Sequence, residues 1–246
     1  MNRATSKYLA VAAAVVTVAV MGLAAPSGAL GTTTGATTNP STDPSCKGTN
    51  IKPTLHKDAV RRENALSALV SALRAGQDPY GLNGAQIAAL QDAKSGITTL
   101  DGVISGTCYP TLSALHEDGS KLFVGYRVFW LRVPQTFVIV AADHLAEARI
   151  RLGSAAGKLA PLVGSNAAAQ ADLAAMNQAL TTADGKLGVP PNAGATIAAV
   201  PGLVPAKDMS QNGSVLRASY ADLLAARAAL MEARSDGKKT VADLQP

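Results

Sequence analysis

The side chains best suited to bind another molecule are concentrated in one short segment. All three phenylalanines and the only tryptophan of the chain lie within it, together with a tyrosine and two arginines: Phe123, Tyr126, Arg127, Phe129, Trp130, Arg132 and Phe137. Such a set predicts an apolar pocket or partner surface guarded by two cations, suited to an anionic amphiphile or a polymer. The alternative is that these rings are the bulky core filler of an alanine-rich protein. We prefer this structural interpretation, because a core of small residues needs such anchors.

Cys46 and Cys108 are the only cysteines, and their separation excludes the CxxC spacing of redox or metal sites. An isolated pair in an oxidising compartment most simply forms one disulfide, which here closes a loop of about 60 residues. Two free thiols are the alternative. We favour the disulfide.

Catalytic and metal-binding motifs are missing from the sequence. The histidines His56, His116 and His144 are far apart, and no HExxH, acidic calcium loop, Gly-x-Ser-x-Gly elbow, phosphate loop or dinucleotide fingerprint occurs. Asp143 and Glu147 lie one helical turn apart, which is ordinary surface patterning. The sequence therefore predicts a protein that is not an enzyme and uses no metal or cofactor; a hydrolase without a recognisable motif is a minor alternative.

The N-terminus indicates export. Arg3 and Lys7 precede an apolar run over residues 8–25, and Pro26 and the small residues 27–29 follow it. This order is typical of a secretory signal peptide over residues 1–29, with a retained anchor as the alternative. Residues 30–53 are rich in Thr, Gly, Ser and Pro, which predicts a flexible tether. We expect a secreted or cell-envelope-associated protein.

The formal net charge of +5 falls to about +3 without Arg3 and Lys7, and the basic residues form no dense cluster. Nucleic acid is therefore not an expected partner. A helix over residues 122–142 would be long enough to cross a membrane. However, Arg127 and Arg132 would each cost about 2.5–3.5 kcal/mol there. We expect a core helix whose arginines reach the surface or a carboxylate, and no membrane span after removal of the signal.

Residues 54–246 predict one all-α domain, an antiparallel helical bundle with long, partly coiled-coil-like helices. Thr54 and Asn83 are the expected N-caps of the first two helices. For residues 122–134 the pattern favours helix only narrowly over strand, with a kink or break near Pro134. Alternatively, Pro134 opens a new helix after a short extended piece. Further helices are expected to about Leu162 and over residues 167–183.

The last helix carries a heptad seam that two arginines and a glycine interrupt: Leu216, Tyr220, Leu223, Arg227, Leu230, Arg234, Gly237, Val241 and Leu244. These interruptions favour packing as one member of a bundle over a tight two-stranded coiled coil. The same helix is a candidate surface for self-association.

Two stretches carry a resemblance to a known group of proteins. Residues 126–134 read Tyr-Arg-Val-Phe-Trp-Leu-Arg-Val-Pro and are followed by Ala-Ala-Asp at 141–143. This resembles uncharacterised exported helical proteins of high-GC Gram-positive bacteria, which share a Tyr-Arg-Val-aromatic-x-Leu-x-x-Pro stretch. Residues 204–212 are similar to their Pro-Ala-Asp-aromatic-Asn pattern, with Lys207 and Met209 as departures. The resemblance implies fold and export, and no activity.

Together these observations predict an exported, non-enzymatic scaffold or interaction protein of the cell envelope or extracellular space, whose partner is a protein or an envelope polymer. The alternative is a carrier of a small apolar or anionic ligand, bound at the aromatic segment 123–137.

Overall fold

A computed structural model describes residues 45–205 and 209–245. The predicted signal peptide and residues 30–44 of the predicted tether lie outside this range. The described chain is all-α, as predicted, with one β-hairpin whose two strands have two residues each. Its elements in order are α1 (Lys52–Ala75), α2 (Asn83–Gly106), α3 (Leu112–Val124), a π-helical turn (Val128–Arg132), α4 (Val133–Leu159), α5 (Ala167–Leu187), β1 (Gly188–Val189), β2 (Asn192–Ala193), α6 (Ala195–Ala198) and α7 (Met209–Asp243).

Helices α1 and α2 run antiparallel. His56 Nδ1 lies 2.7 Å from Asp101 Oδ2, and Thr98 donates a 2.8 Å hydrogen bond to Glu63. The predicted caps are both wrong. Helix α1 begins two residues before Thr54, at a first turn whose Pro53 has no N–H to satisfy.

Asp78, in the turn before α2, performs the capping that was predicted for Asn83. Its carboxylate accepts hydrogen bonds from the backbone N–H groups of Leu82 and Asn83, at 2.8 and 3.2 Å. The Asn83 side chain is buried and instead donates to the carbonyls of Leu73 and Gln77, at the end of α1. It thereby joins the two helices of the hairpin.

Helices α5 and α7 also run antiparallel and pack through small side chains. Asn166, the N-cap of α5, donates to the carbonyl of Asp243, while Lys186 lies 3.1 Å from Asp222. Most buried positions of α7 recur every three or four residues, namely Ser219, Leu223, Ala226, Leu230, Ala233, Gly237 and Thr240, and Asn212, Ala229, Asp236 and Val241 are buried as well. This is a heptad seam, already occupied by helices of the same chain.

The composition of that seam differs from the prediction. Leu223, Leu230, Gly237 and Val241 were predicted correctly, but Ser219, Ala226 and Ala233 are buried where Tyr220, Arg227 and Arg234 were expected. Tyr220 is 48% exposed. Because small residues let two helix backbones approach closely, they outcompete the larger side chains for the contact face.

The start of the described chain is held against α2 and α3. Cys46 is buried and forms a disulfide with Cys108, as predicted, and Lys47 N–H donates to the carbonyl of Tyr109. Lys52 donates to the carbonyls of Ser105 and Thr107. Residues 45–53, the last part of the predicted tether, are therefore turn and helix. Among the described residues, no helix combines the length and the apolarity that crossing a bilayer requires.

Candidate functional site

The chain between α3 and α4 has an irregular backbone. Helix α3 ends at Val124, and Arg127 has a left-handed backbone conformation with φ of 43°. The π-helical turn follows directly, and Pro134 lies in the first turn of α4. The expected helix break therefore lies at residues 125–127, upstream of Pro134. Pro134 does open a new helix, but the extended piece expected before it is wrong: the preceding residues are helical.

The aromatic residues of this segment are not the core filler that we preferred. Trp130 is 82% exposed, while Phe123 and Phe129 are 41% and 38% exposed. The largest fully buried side chains are instead Leu, Ile and Met: Leu66, Leu73, Leu90, Ile97, Ile104, Leu115, Leu122, Leu131, Ile139, Leu152, Leu159 and Met176. The break at residues 125–127 resets the helical phase, so the predicted stripe does not continue into the core. We call the exposed residues Phe123, Val124, Phe129 and Trp130 the docking face.

The seven predicted site residues do not form one surface. Phe137 pairs with Tyr220 of α7, with ring centroids 6.5 Å apart. Tyr126 packs its hydroxyl against Gly96 of α2, where a Cβ atom would collide with it. Arg127 is half-buried in the link after α3. Phe123 and Phe129 are joined by two arginines whose role the sequence analysis missed.

Arg61 and Arg62 of α1 stack on these two rings. The guanidinium carbon of Arg62 lies 4.5 Å from the Phe123 ring centroid and 5.2 Å from that of Phe129, and Arg61 lies 5.1 Å from Phe129. Arg62 is buried, and its Nε has no hydrogen-bond partner among the residues that the structure describes. Burial lowers the pKa of Arg62; Asp58 opposes this shift and Arg61 adds to it. We call these four residues the arginine–aromatic cluster.

An apolar cleft of about 220 Å³ adjoins this cluster, between the start of α1 and helix α3. It is lined by Ile51, Leu55, Leu112, Leu115, His116, Gly119, Ser120 and Phe123. Gly119 keeps it open on one side, since a Cβ there would lie 3.2 Å from Leu55. Phe123 lines the cleft, and the Arg62 guanidinium stacks on its ring. Phe123 is therefore shared by the cleft and the cluster, while Arg61 and Arg62 lie beyond the residues that line the cleft.

A second groove, between α1 and α2, is polar. It has a volume of about 550 Å³ and is rich in hydroxyl groups. Those of Ser67, Ser71 and Thr99 already donate to carbonyls one helical turn earlier. These hydroxyl protons are therefore not available to a ligand.

Arg132 reaches neither the surface nor a carboxylate, contrary to the prediction. It is buried and donates to Gln135 Oε1 at 3.2 Å, and Gln135 in turn donates to the carbonyls of Val200 and Leu203. Burial lowers the pKa of Arg132, against an opposing effect of Asp92. These hydrogen bonds connect the start of α4 to the segment before α7. The role of Arg132 is therefore structural.

Asp143 is also buried, with 5% exposure, although its spacing from Glu147 predicted a surface position. Burial, followed by the charge of Asp78, raises the pKa of Asp143 to about 7, while a hydrogen bond with Asn83 opposes the shift. Its Oδ1 atom has no partner.

The chemistry available at this site is binding through apolar surface and positive charge. In the part of the chain that the structure describes, no three His, Cys, Asp or Glu side chains are grouped so that they could hold a metal ion. Among the residues that line the cleft, His116 is the titratable one. Comparison of the chain with protein-family models, with curated proteins and with solved structures gave no match.

Proposed function

We propose that this protein is an exported, non-enzymatic interaction protein that binds a protein or an envelope polymer through its docking face. The observation that carries the proposal is the 82% exposure of Trp130, next to Phe129 and close in sequence to the exposed Val124. Large aromatic side chains near the centre of a binding interface often contribute most of its binding energy. Leaving such an apolar group in water is unfavourable.

Export is supported by the charge, apolar run and small residues of positions 1–29, and by the likeness to exported helical proteins. The Cys46–Cys108 disulfide is compatible with it, because such bonds persist in oxidising compartments. The non-enzymatic part of the proposal rests on the missing catalytic motifs.

Fractionation of producing cells tests this function. The full chain is compared with Trp130→Ala and with Met231→Ala, a control at an exposed apolar position of α7. We expect the unaltered chain and the control in the wall or membrane fraction, and Trp130→Ala shifted to the medium. Equal distribution of all three would contradict the docking face, and retention in the cytoplasm would contradict export.

A carrier function is the second candidate, and the apolar cleft beside the arginine–aromatic cluster favours it. Native mass spectrometry of protein purified from its own culture medium tests this idea. We expect a co-purifying small molecule that is lost in Phe123→Ala and kept in Met231→Ala.

A further inference from the structure

We propose that the apolar cleft and the arginine pair form one site for a single-chain anionic amphiphile, a carboxylate on one unbranched hydrocarbon chain. The hydrocarbon lies in the cleft, and the carboxylate binds Arg61 and Arg62. This inference makes the carrier function specific and rests on it.

The cleft has the chemistry and size for one alkyl chain. Ile51, just before α1, and Leu55 of α1 line it together with Leu112, Leu115 and Phe123 of α3. Its volume of about 220 Å³ is below the ~300–1,000 Å³ typical of sites for larger ligands. A two-chain lipid is therefore too large for the cleft. Leu112 and Phe123 lie eleven residues apart on α3, about 16 Å along the helix axis, so the cleft is long enough to hold an extended medium-length chain.

The positive charge lies next to the Phe123 end of the cleft, on Arg62, which stacks on the Phe123 ring, and on its neighbour Arg61. Arg62 is more than nine-tenths buried, and its partners are the ring faces of Phe123 and Phe129, which accept no conventional hydrogen bond. Among the described residues, neither Arg61 nor Arg62 forms an ion pair with a carboxylate. The closest compensating charge is that of Asp58, one helical turn earlier, which acts on Arg62 without a hydrogen bond.

A bound carboxylate would complete this arrangement. Guanidinium groups bind carboxylates through two parallel hydrogen bonds, and the unpartnered Nε of Arg62 is one such donor. The anion would also offset the repulsion between two adjacent arginines. Charge complementarity thus fixes the orientation of the ligand, with its head at Phe123 and its tail towards Ile51.

Titration calorimetry with defined probes tests the site on the full mature chain. Decanoate is compared with decanol, which has the same chain without the charge, and with acetate, which has the charge without the chain. We expect saturable one-to-one binding of decanoate, binding of decanol weaker by about tenfold or more, and no binding of acetate.

Variants of the protein test where the carboxylate and the hydrocarbon chain of the ligand bind. Arg61→Gln, at an exposed position with little effect on folding, and Arg62→Gln should weaken decanoate about tenfold and leave decanol unchanged. Leu112→Asp, at the exposed rim, should weaken both probes, and the control Met231→Asp neither.

Three outcomes would overturn the inference: no saturable binding of decanoate, equal affinity for decanoate and decanol, or unchanged decanoate affinity in both arginine variants. Preferential binding to vesicles of anionic two-chain lipid, without binding of free decanoate, would also overturn it. A different co-purifying molecule in native mass spectrometry would leave the carrier function standing while this inference fails. If no molecule co-purifies and decanoate does not bind, both the carrier function and this inference fail.

Discussion

Asp143 occupies a position where its charge is costly. It is buried on α4 and faces Asp78 from the α1–α2 turn and Glu147 from its own helix, while Asn83 of α2 is its hydrogen-bonding neighbour. Both Asp143 Oδ1 and Asn83 Oδ1 lack partners. A carboxylate can only accept hydrogen bonds, whereas a protonated Asp143 has a hydroxyl group that can donate one. The protonated acid therefore suits this site better than the carboxylate.

We predict that Asp143 makes the protein less stable as the pH rises from about 4 to about 7. The pKa of this group is about 7 in the folded state and 3.8 as the ordinary value, so in this window the folded state binds more protons than the unfolded state. The free energy of unfolding must then fall with rising pH, and it becomes level above pH 7. Asp143→Asn should remove this slope and raise stability at pH 8 by about 1–3 kcal/mol.

Urea unfolding between pH 4.5 and 8 measures the effect, with exposed Asp92→Asn as the matched control. Because other ionisable groups remain in all three proteins, the difference between their pH profiles isolates Asp143. Parallel profiles for the unaltered chain and Asp143→Asn would count against the buried, raised-pKa carboxylate.

The misplacement of Asp143 in the sequence analysis has a physical reason. Four positions within one and a half turns of α4 are buried, namely Ala141, Ala142, Asp143 and Ala146. Helix α4 contacts α1, α5 and α7. A helix covered on several sides loses the amphipathic pattern from which exposure is inferred, so spacing alone could not place the carboxylate.

At the scale of elements, close packing of α5 against α7 depends on alanine and serine. Ala226 and Ala233 are fully buried, seven residues apart, on the seam of α7. Their methyl groups leave no room for additional carbon atoms in a well-packed interior.

We expect Ala226→Leu and Ala233→Leu each to lower the free energy of unfolding by about 1–3 kcal/mol through overpacking. Ala228→Leu is the matched control, because this residue is exposed on the same helix and leucine is only slightly poorer than alanine as a helix former. Chemical denaturation, monitored by circular dichroism, measures the free energy of unfolding of each of the three variants. Equal stability of the buried and exposed variants would mean that the seam is looser than described.

The periodicity of the last helix could be read from the sequence, but its contact face could not. The predicted seam ranked Tyr220 above Ser219, because the large apolar side chain carries the stronger hydrophobic signal. In the folded chain, Ser219 is buried against α6, where its hydroxyl donates to the carbonyl of Thr196, and Tyr220 pairs with Phe137 instead. The cap of α2 was missed for a similar reason: Asp78 acts from a turn four residues before Leu82, outside the usual capping spacing.

At the scale of the whole molecule, the disulfide joins the start of the described chain to the end of α2. The two cysteines are 62 residues apart, Cys46 is buried, and the next residue, Lys47, donates its backbone N–H to the carbonyl of Tyr109. Cross-linking a loop of this length restricts the unfolded chain and stabilises the folded state by up to ~4 kcal/mol.

Replacing both cysteines by serine should therefore lower the free energy of unfolding by up to about 4 kcal/mol. The intact protein should also migrate faster in non-reducing than in reducing electrophoresis, because the closed loop makes the denatured chain more compact. Thiol titration of the denatured, unreduced protein checks the bond directly. Two titratable thiols with identical mobilities would show that the bond is not formed.

The sequence by itself determined the all-α class, the approximate extents of the long helices and the only disulfide that two cysteines can form. These properties follow from local hydrogen bonding, periodicity and composition. Only the tertiary structure decided that Trp130 faces solvent, that Arg132 and Asp143 are buried, and that Arg61 and Arg62 stack on Phe123 and Phe129. The arginines and the rings are about 60 residues apart in the chain, and their contact depends on how α1 packs against α3 and the π-helical turn, which no local pattern encodes.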